Sequence, residues 1–180
     1  MYQVMILLSA VLLIGVDQLT KWLAVQHLQQ APVVLIEGVL ELRYSENTGI
    51  AWGMLPDRRW LVTAVTGVML LFVLGVLLSG RFRSSRLFTI GATMVTAGGI
   101  GNLIDRLVYP DGHVVDFLYV KLIDFPIFNF ADCCVVIGAI LILAYFFFFY
   151  TDKEPPLRQA AMEATDGAAA DPGEPGGGED

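Results

Sequence analysis

Four long apolar segments constrain this chain more than any other feature. A helix needs about 20 mostly apolar residues to cross the hydrocarbon core of a bilayer. Segments of that kind run over about residues 4–28, 60–78, 87–106 and 129–150. The chain is 56% hydrophobic and only 16% charged, whereas a soluble domain has about 25% charged residues. We therefore predict an all-α membrane protein with four transmembrane helices.

The segment between the first two spans has the pattern of a short β-hairpin. Val33–Ile36 is a run of β-branched and aliphatic residues, and Glu37-Gly38 follows as a turn. Apolar residues at positions 40, 42 and 44 then alternate with charged residues. Alternation on one side of a glycine-containing turn, with an aliphatic run on the other, predicts two antiparallel strands.

The C-terminal segment differs sharply in composition from the rest. Residues 152–180 are rich in Ala, Gly, Pro, Asp and Glu and offer almost no apolar surface to bury. Such a composition predicts disorder. We expect residues 1–151 to form the membrane domain and residues 152–180 to form a disordered acidic tail.

Charge and cysteine content exclude several classes of protein. The net charge of −7 lies mostly in the tail, and the membrane domain has no basic surface that could neutralise nucleic-acid phosphates. Cys133 and Cys134 are adjacent in an apolar run, which excludes a disulfide framework.

The first span has no preceding Lys or Arg and no small-residue cleavage site, so we expect a retained helix and not a cleaved signal peptide.

The polar residues in or near the spans all fall on one side of the membrane. The opposite side carries the loop 79–86, whose three arginines favour a cytoplasmic location for that loop and both termini. The loops of the polar side also carry Arg43, Arg58, Arg59 and Lys121, so charge alone leaves the orientation open. A charged side chain at the bilayer centre costs about 2.5–3.5 kcal/mol on insertion scales, so a cluster of them indicates a site. The cluster consists of Asp17, Lys21, Asn47, Asn102, Asp105, Arg106, Asp116, Asn129 and Asp132.

Two members of this cluster can form a catalytic pair. Asp116 lies in an apolar stretch that returns toward the membrane, and Asp132 lies one turn into the fourth span. Two carboxylates in one partly dry site cannot both ionise cheaply, so one keeps its proton and the pair titrates as a unit. One member can then activate a water while the other donates a proton to a carbonyl oxygen. This is the chemistry of an aspartic protease.

Structural roles are the alternative for part of the cluster. Asp17 and Lys21 are spaced i,i+4, so they face each other on a helix. Asp105 and Arg106 can form a second pair at a helix end, with Arg106 turned toward a substrate.

Other chemistries lack the residues they need. His113 and Asp116 have helical ligand spacing, but two ligands do not make a zinc site, so we expect neither a metal nor another cofactor. No serine has a histidine beside it. Intramembrane acids also serve proton-coupled transporters, and this alternative remains open from the carboxylates alone. Their position near one face favours a surface-facing site over a conduit.

Five motifs occur in an order that resembles the bacterial lipoprotein signal peptidases, also called signal peptidase II. The resemblance covers about residues 10–140, and one small departure is Ile50, where that family commonly has Ala. The motifs are Asp17-Gln18-Leu19-Thr20-Lys21, Glu46-Asn47-Thr48-Gly49-Ile50-Ala51-Trp52-Gly53, Gly101-Asn102-Leu103-Ile104-Asp105-Arg106, Val114-Val115-Asp116-Phe117 and Phe128-Asn129-Phe130-Ala131-Asp132.

The resemblance implies a role for each matching position. Asp116 and Asp132 correspond to the catalytic dyad. Residues implied to bind the substrate or support its pocket are Asn47, Gly49, Asn102, Arg106 and Asn129. Residues implied to be scaffold are Asp17, Lys21 and Asp105. An extracytoplasmic β-cradle is implied over about residues 30–58, which agrees with the predicted hairpin.

The resemblance also implies a reaction and a location. The implied enzyme is an aspartic endopeptidase, sensitive to globomycin, that cleaves diacylglyceryl-modified prolipoproteins immediately before the lipid-modified cysteine. It would be a monomer among the phospholipids of the cytoplasmic (inner) membrane, with its active site near the extracytoplasmic face. The alternative is a non-enzymatic protein, either a small transporter or a lipoprotein-binding assembly factor.

Overall fold

Four α-helices, a short 3-10 helix (Lys121–Ile123) and a small sheet make up the part of the chain that the computed structural model describes, residues 2–49 and 59–150. Each α-helix is long and apolar enough to cross a membrane, as predicted. Their ends lie within two residues of the expected bounds. The α-helices are α1 (Tyr2–His27), α2 (Arg59–Leu78), α3 (Arg86–Val108) and α4 (Phe130–Phe148).

Two predicted features cannot be compared with the structure. The acidic tail over residues 152–180 lies outside the described residues. Residues 50–58 of the predicted cradle also lie outside them.

The third helix is the centre of the bundle. α3 packs against α1, α2 and α4, and twelve of its residues are buried, most of them Gly, Ala or Thr. A Cβ on Gly98 would overlap the carbonyl oxygen of Ala131, so α3 and α4 meet backbone to backbone there. Small residues permit such close contact between helices in lipid. The outer helices instead expose large side chains such as Phe72 and Phe147, which suits contact with acyl chains.

The predicted hairpin is present between α1 and α2. β1 (Val33–Ile36) and β2 (Leu40–Asn47) pair antiparallel. Gly38 in the turn has a φ of 70°, a conformation that glycine adopts without steric cost.

A third strand extends the sheet beyond the predicted cradle. β3 (Val114–Val120) pairs antiparallel with β2, which gives the order β1-β2-β3. In the sequence this stretch has only the pattern of an apolar run, and the expected cradle spans about residues 30–58. That range was too narrow, because the partner of β3 lies far earlier in the chain and leaves no local turn pattern. The register places Ser45 opposite Asp116.

Candidate active site

The structure brings the two predicted dyad residues together at the junction of the sheet and α4. Asp116 lies on β3 and is 2% exposed, and Asp132 lies in the first turn of α4. Between them the chain turns back, and Phe128 forms an antiparallel bridge with Leu118. This return starts α4 beside β3, so residues far apart on a linear loop become neighbours.

Asn129 contacts both carboxylates. Its side-chain amide Nδ2 donates to Asp116 Oδ1 at 2.6 Å, and its backbone N–H donates to Asp132 Oδ2 at 3.1 Å. Its side-chain oxygen accepts the backbone N–H of Asp132 at 3.0 Å. The last two bonds form a reciprocal cap on the N-terminus of α4, similar to a capping box. The residue is completely buried, so these bonds are shielded from water.

The second oxygen of each dyad carboxylate also accepts a hydrogen bond from an asparagine side chain. Asn47 Nδ2 donates to Asp116 Oδ2 at 3.0 Å, and Asn102 Nδ2 donates to Asp132 Oδ1 at 2.8 Å. The two amide networks are joined, because Asn129 Nδ2 also donates to Asn102 Oδ1 at 3.0 Å. Three asparagines predicted as support therefore surround the dyad.

Burial changes the titration of Asp116. Burial, followed by the nearby Asp132 carboxylate, raises the pKa of Asp116 from 3.8 to about 7, although hydrogen bonds from Asn47 and Asn129 oppose the shift. A proton held near neutral pH is what acid catalysis requires of one carboxyl in such a pair.

The three residues predicted as scaffold form one buried ion cluster. Lys21 Nζ lies 3.0 Å from Asp17 Oδ2 and 3.0 Å from Asp105 Oδ2. Its third contact is to Asn102 Oδ1, at 2.9 Å. The i,i+4 pairing of Asp17 with Lys21 is confirmed. The suggested pairing of Asp105 with Arg106 is not seen, because Asp105 points to Lys21.

Arg106 holds carbonyl oxygens on two segments. Its guanidinium donates to Gly49 O at 3.2 Å and to Asn102 O at 3.4 Å. Gly49 N in turn donates to Asn47 Oδ1 at 3.1 Å. Arg106 therefore fixes the end of β2, where Asn47 contacts Asp116. The contacts of Arg106 in the structure are with the chain itself, and its implied contact with a substrate stays a prediction.

Two features of the site are not evident from the sequence pattern. β3 was not foreseen as a strand. Gln18 was quoted only within a motif, yet its Nε2 lies within 3.2 Å of Asp17 Oδ2 and Gly101 O and 3.1 Å from Asp105 Oδ1. Gln18 is adjacent to Asp17, and adjacent residues of a helix point in directions about 100° apart. Helical periodicity therefore did not predict that both side chains contact α3.

Potential metal ligands form a group that does not include the dyad. Within residues 2–49 and 59–150, Glu46, Asp111 and His113 have ligand atoms within 4.8 Å of one another. Asp111 Oδ1 already contacts His113 Nδ1 at 2.7 Å, and this hydrogen bond lowers the pKa of the exposed Asp111 carboxyl. The noted spacing of His113 and Asp116 is not helical, because Asp116 lies in a strand.

Comparison with known proteins identifies the family. A family model described as "Signal peptidase (SPase) II" matches residues 9–148, a range that contains every residue of the site. The chain belongs to the signal peptidase II family. The resemblance seen in the five motifs is therefore confirmed.

Similar proteins extend this result. Lipoprotein signal peptidases of Lactiplantibacillus plantarum and Symbiobacterium thermophilum are 39% and 40% identical over 133 and 134 residues, which is 73% and 72% of this chain and 87% and 85% of theirs. A bacterial membrane enzyme solved by the in meso method at 2.3 Å resolution matches with a TM-score of 0.69 and 29% identity, over 84% of this chain and 94% of that one.

Membership of the signal peptidase II family settles the protein class. The chain is a protease and a multi-pass protein of the bacterial cytoplasmic (inner) membrane. The non-enzymatic alternatives, a transporter or an assembly factor, are not favoured by these likenesses.

Proposed function

We propose that the chain is an aspartic endopeptidase that removes the signal peptide from diacylglyceryl-modified prolipoproteins, cutting immediately before the lipid-modified cysteine. Membership of the signal peptidase II family supports the substrate. The observation that carries the residue assignment is the linkage of Asp116 and Asp132 through Asn129, which contacts both.

The proposed reaction uses the two carboxyls in different roles. Asp132 accepts a proton from a water molecule, whose oxygen attacks the carbonyl carbon of the scissile peptide. Asp116, protonated near neutral pH because burial raises its pKa to about 7, donates its proton to the carbonyl oxygen. Asp132 then gives the proton it accepted to the peptide nitrogen, and the C–N bond breaks. As the bond breaks, Asp116 takes a proton back from a hydroxyl of the tetrahedral intermediate, so the dyad returns to its starting state. The proton and water balance without a metal, a cofactor or a covalent intermediate.

The proposed substrate groove lies where the supporting residues converge. Asn47, Asn102 and Asn129 hold the dyad oxygens, so their amides line the place where the scissile carbonyl must enter. Gly49 and Arg106 form one side of the proposed substrate groove through their 3.2 Å hydrogen bond. Substrate acyl chains can stay in lipid, against the exposed apolar sides of the outer helices.

The proposed orientation follows from the two ends of α3. The loop 79–86 before α3 carries three arginines and is assigned to the cytoplasm, together with both termini. Asn102 and Arg106, at the far end of α3, then lie near the extracytoplasmic face. We propose a monomer surrounded by membrane phospholipid and inhibited by globomycin.

Cleavage by the purified full chain tests this function. The substrate is a diacylglyceryl-modified precursor, and the product is detected by mass. The wild type should release the signal peptide, whereas Asp116→Asn and Asp132→Asn should release none while remaining inserted and folded. Asp111→Asn is the matched control, because Asp111 is a nearby exposed carboxylate outside the dyad, and it should cleave normally. Cleavage by either dyad variant at the wild-type rate would refute the assignment.

A further inference from the structure

The ion cluster of Asp17, Lys21 and Asp105 is buried more deeply than a helix-pairing contact requires. The three residues are 1%, 3% and 3% exposed. Taking charges out of water is costly, and apolar residues of similar volume often hold a fold together equally well or better. Packing alone therefore does not account for three charged groups at this depth.

Each carboxylate of the cluster also holds a backbone N–H next to a dyad residue. Asp17 Oδ1 accepts the N–H of Ala131 at 3.0 Å, and Ala131 directly precedes Asp132. Asp105 Oδ2 accepts the N–H of Val115 at 3.1 Å, and Val115 directly precedes Asp116. An apolar side chain could fill the same space but could not accept either bond.

The two halves of this arrangement are joined to each other. Lys21 Nζ contacts Asp17 and Asp105 at 3.0 Å each, and Gln18 Nε2 donates to the same two carboxylates. The start of α4 and the start of β3 are thus connected through one rigid cluster on α1 and α3.

Lys21 also fixes the amide orientation of Asn102. Because Asn102 Oδ1 accepts from Lys21 at 2.9 Å, its Nδ2 is left to face Asp132 Oδ1 at 2.8 Å. The cluster therefore acts on Asp132 by two routes, one through the backbone of Ala131 and one through the side chain of Asn102.

We propose that Asp17, Lys21 and Asp105 are positioning residues for peptide cleavage, which set the separation and orientation of Asp116 and Asp132. The proposal rests on the proposed function, since it concerns the geometry of that dyad. The positioning residues do not touch the substrate, so their loss should alter the chemical step and leave substrate binding nearly unchanged.

Steady-state kinetics on the purified full chain test the proposal. The variants are Lys21→Met, Asp17→Asn and Asp105→Asn, and rates are normalised to folded protein from thermal unfolding. A misplacement of reacting groups by 1 Å can cost about 10²-fold in rate, so we expect kcat to fall by about that factor with KM unchanged. The control variants are Glu41→Gln and Lys121→Met, which break a 2.7 Å ion pair between β2 and the residue that follows β3, and they should keep the wild-type kcat.

A double variant separates positioning from independent effects. Groups that act as one unit give non-additive losses. Lys21→Met combined with Asp105→Asn should therefore lose no more kcat than the more damaging single variant. Losses that multiply would overturn the idea of a single positioning cluster.

Charge-preserving variants keep the proposal testable if the neutral ones do not fold. Lys21→Arg and Asp105→Glu retain the charge balance but move the charged atoms, so they should insert and still lose kcat. Wild-type kcat in folded Lys21→Arg and Asp105→Glu would overturn the proposal. If the wild type itself does not cleave, the proposed function fails; if it cleaves and these variants match it, only the positioning role fails.

Discussion

The side-chain amide of Asn129 donates a 2.6 Å hydrogen bond to Asp116 on a different element. The same residue caps α4 through the reciprocal backbone bonds with Asp132. One asparagine thus combines a helix cap with a contact between the two carboxyls, which explains the value of the Asn-x-x-Asp spacing at this helix start.

Replacing Asn129 should separate these two roles. Asn129→Ser keeps a side-chain oxygen for the Asp132 N–H, but its hydroxyl is too short to take the place of the Asn129 amide that donates to Asp116. It should therefore retain stability and lose about 10²-fold in kcat. Asn129→Ala should lose that activity and also about 1 kcal/mol of stability, the usual cost of a lost cap. Thermal unfolding and cleavage rates on the same preparations measure both. Equal activity of Asn129→Ser and wild type would contradict this division.

The activity should fall as the pH rises above neutrality. The pKa of Asp116 is raised to about 7 by burial and by the neighbouring Asp132 carboxylate, so deprotonation above this value removes the catalytic acid. We expect kcat to decline about tenfold per pH unit beyond a midpoint near pH 7. A flat profile through that region would exclude Asp116 as the acid.

The raised pKa of Asp116 should also make the folded protein less stable as the pH rises. Because the folded pKa of Asp116 is above its unfolded value of 3.8, its contribution is complete below about pH 4 and is lost as the pH rises through about 7. Thermal unfolding across this window should show the decline, and Asp116→Asn should remove this component of it.

Gly98 should be intolerant of a single methyl group. A Cβ there would overlap the carbonyl oxygen of Ala131, whereas a Cβ on Gly67 of α2 meets nothing within 4 Å. Gly98→Ala should therefore destabilise the bundle by about 1–3 kcal/mol, as overpacking does, and Gly67→Ala should not. Unfolding of both variants in one detergent provides the comparison.

Arg106 should not be replaceable by lysine. Arg106 holds the Gly49 and Asn102 carbonyls with two different nitrogens, and an ammonium lacks this planar fork. Arg106→Lys should lower kcat/KM by about tenfold, roughly the cost of one charged hydrogen bond. Arg43→Lys, at an exposed position on β2, is the control and should behave as wild type.

The helices and the hairpin followed from local patterns in the sequence. Apolar length gave the spans, and the Glu37-Gly38 turn gave the β1–β2 hairpin, because both depend on residues close together in the chain. β3 could not be recognised in this way, since its hydrogen-bond partners are on β2 and its buried run also suited a return to the membrane.

The site was predicted as a set of residues, and its internal geometry was not. With four spans, the ends of the first and third spans and the start of the fourth lie on the same side of the membrane. The number of spans alone therefore placed Asp17, Lys21, Asp105 and the dyad on one face. Which groups pair depends on helix rotation and on the return at Phe128, neither of which the sequence encodes locally. The pairing of Asp105 with Lys21 and not with its neighbour Arg106 is the clearest example.

The central position of α3 also bears on how the protein enters the membrane. α3 is the least apolar of the four spans, with a mean hydropathy of 1.5 against 2.7 for α2. More than half of the residues in its most apolar stretch are buried by other parts of the protein. A segment of this kind gains little from partitioning into lipid alone. We therefore expect the stable position of α3 in the membrane to depend on its packing against α2, which precedes it, and α4, which follows it.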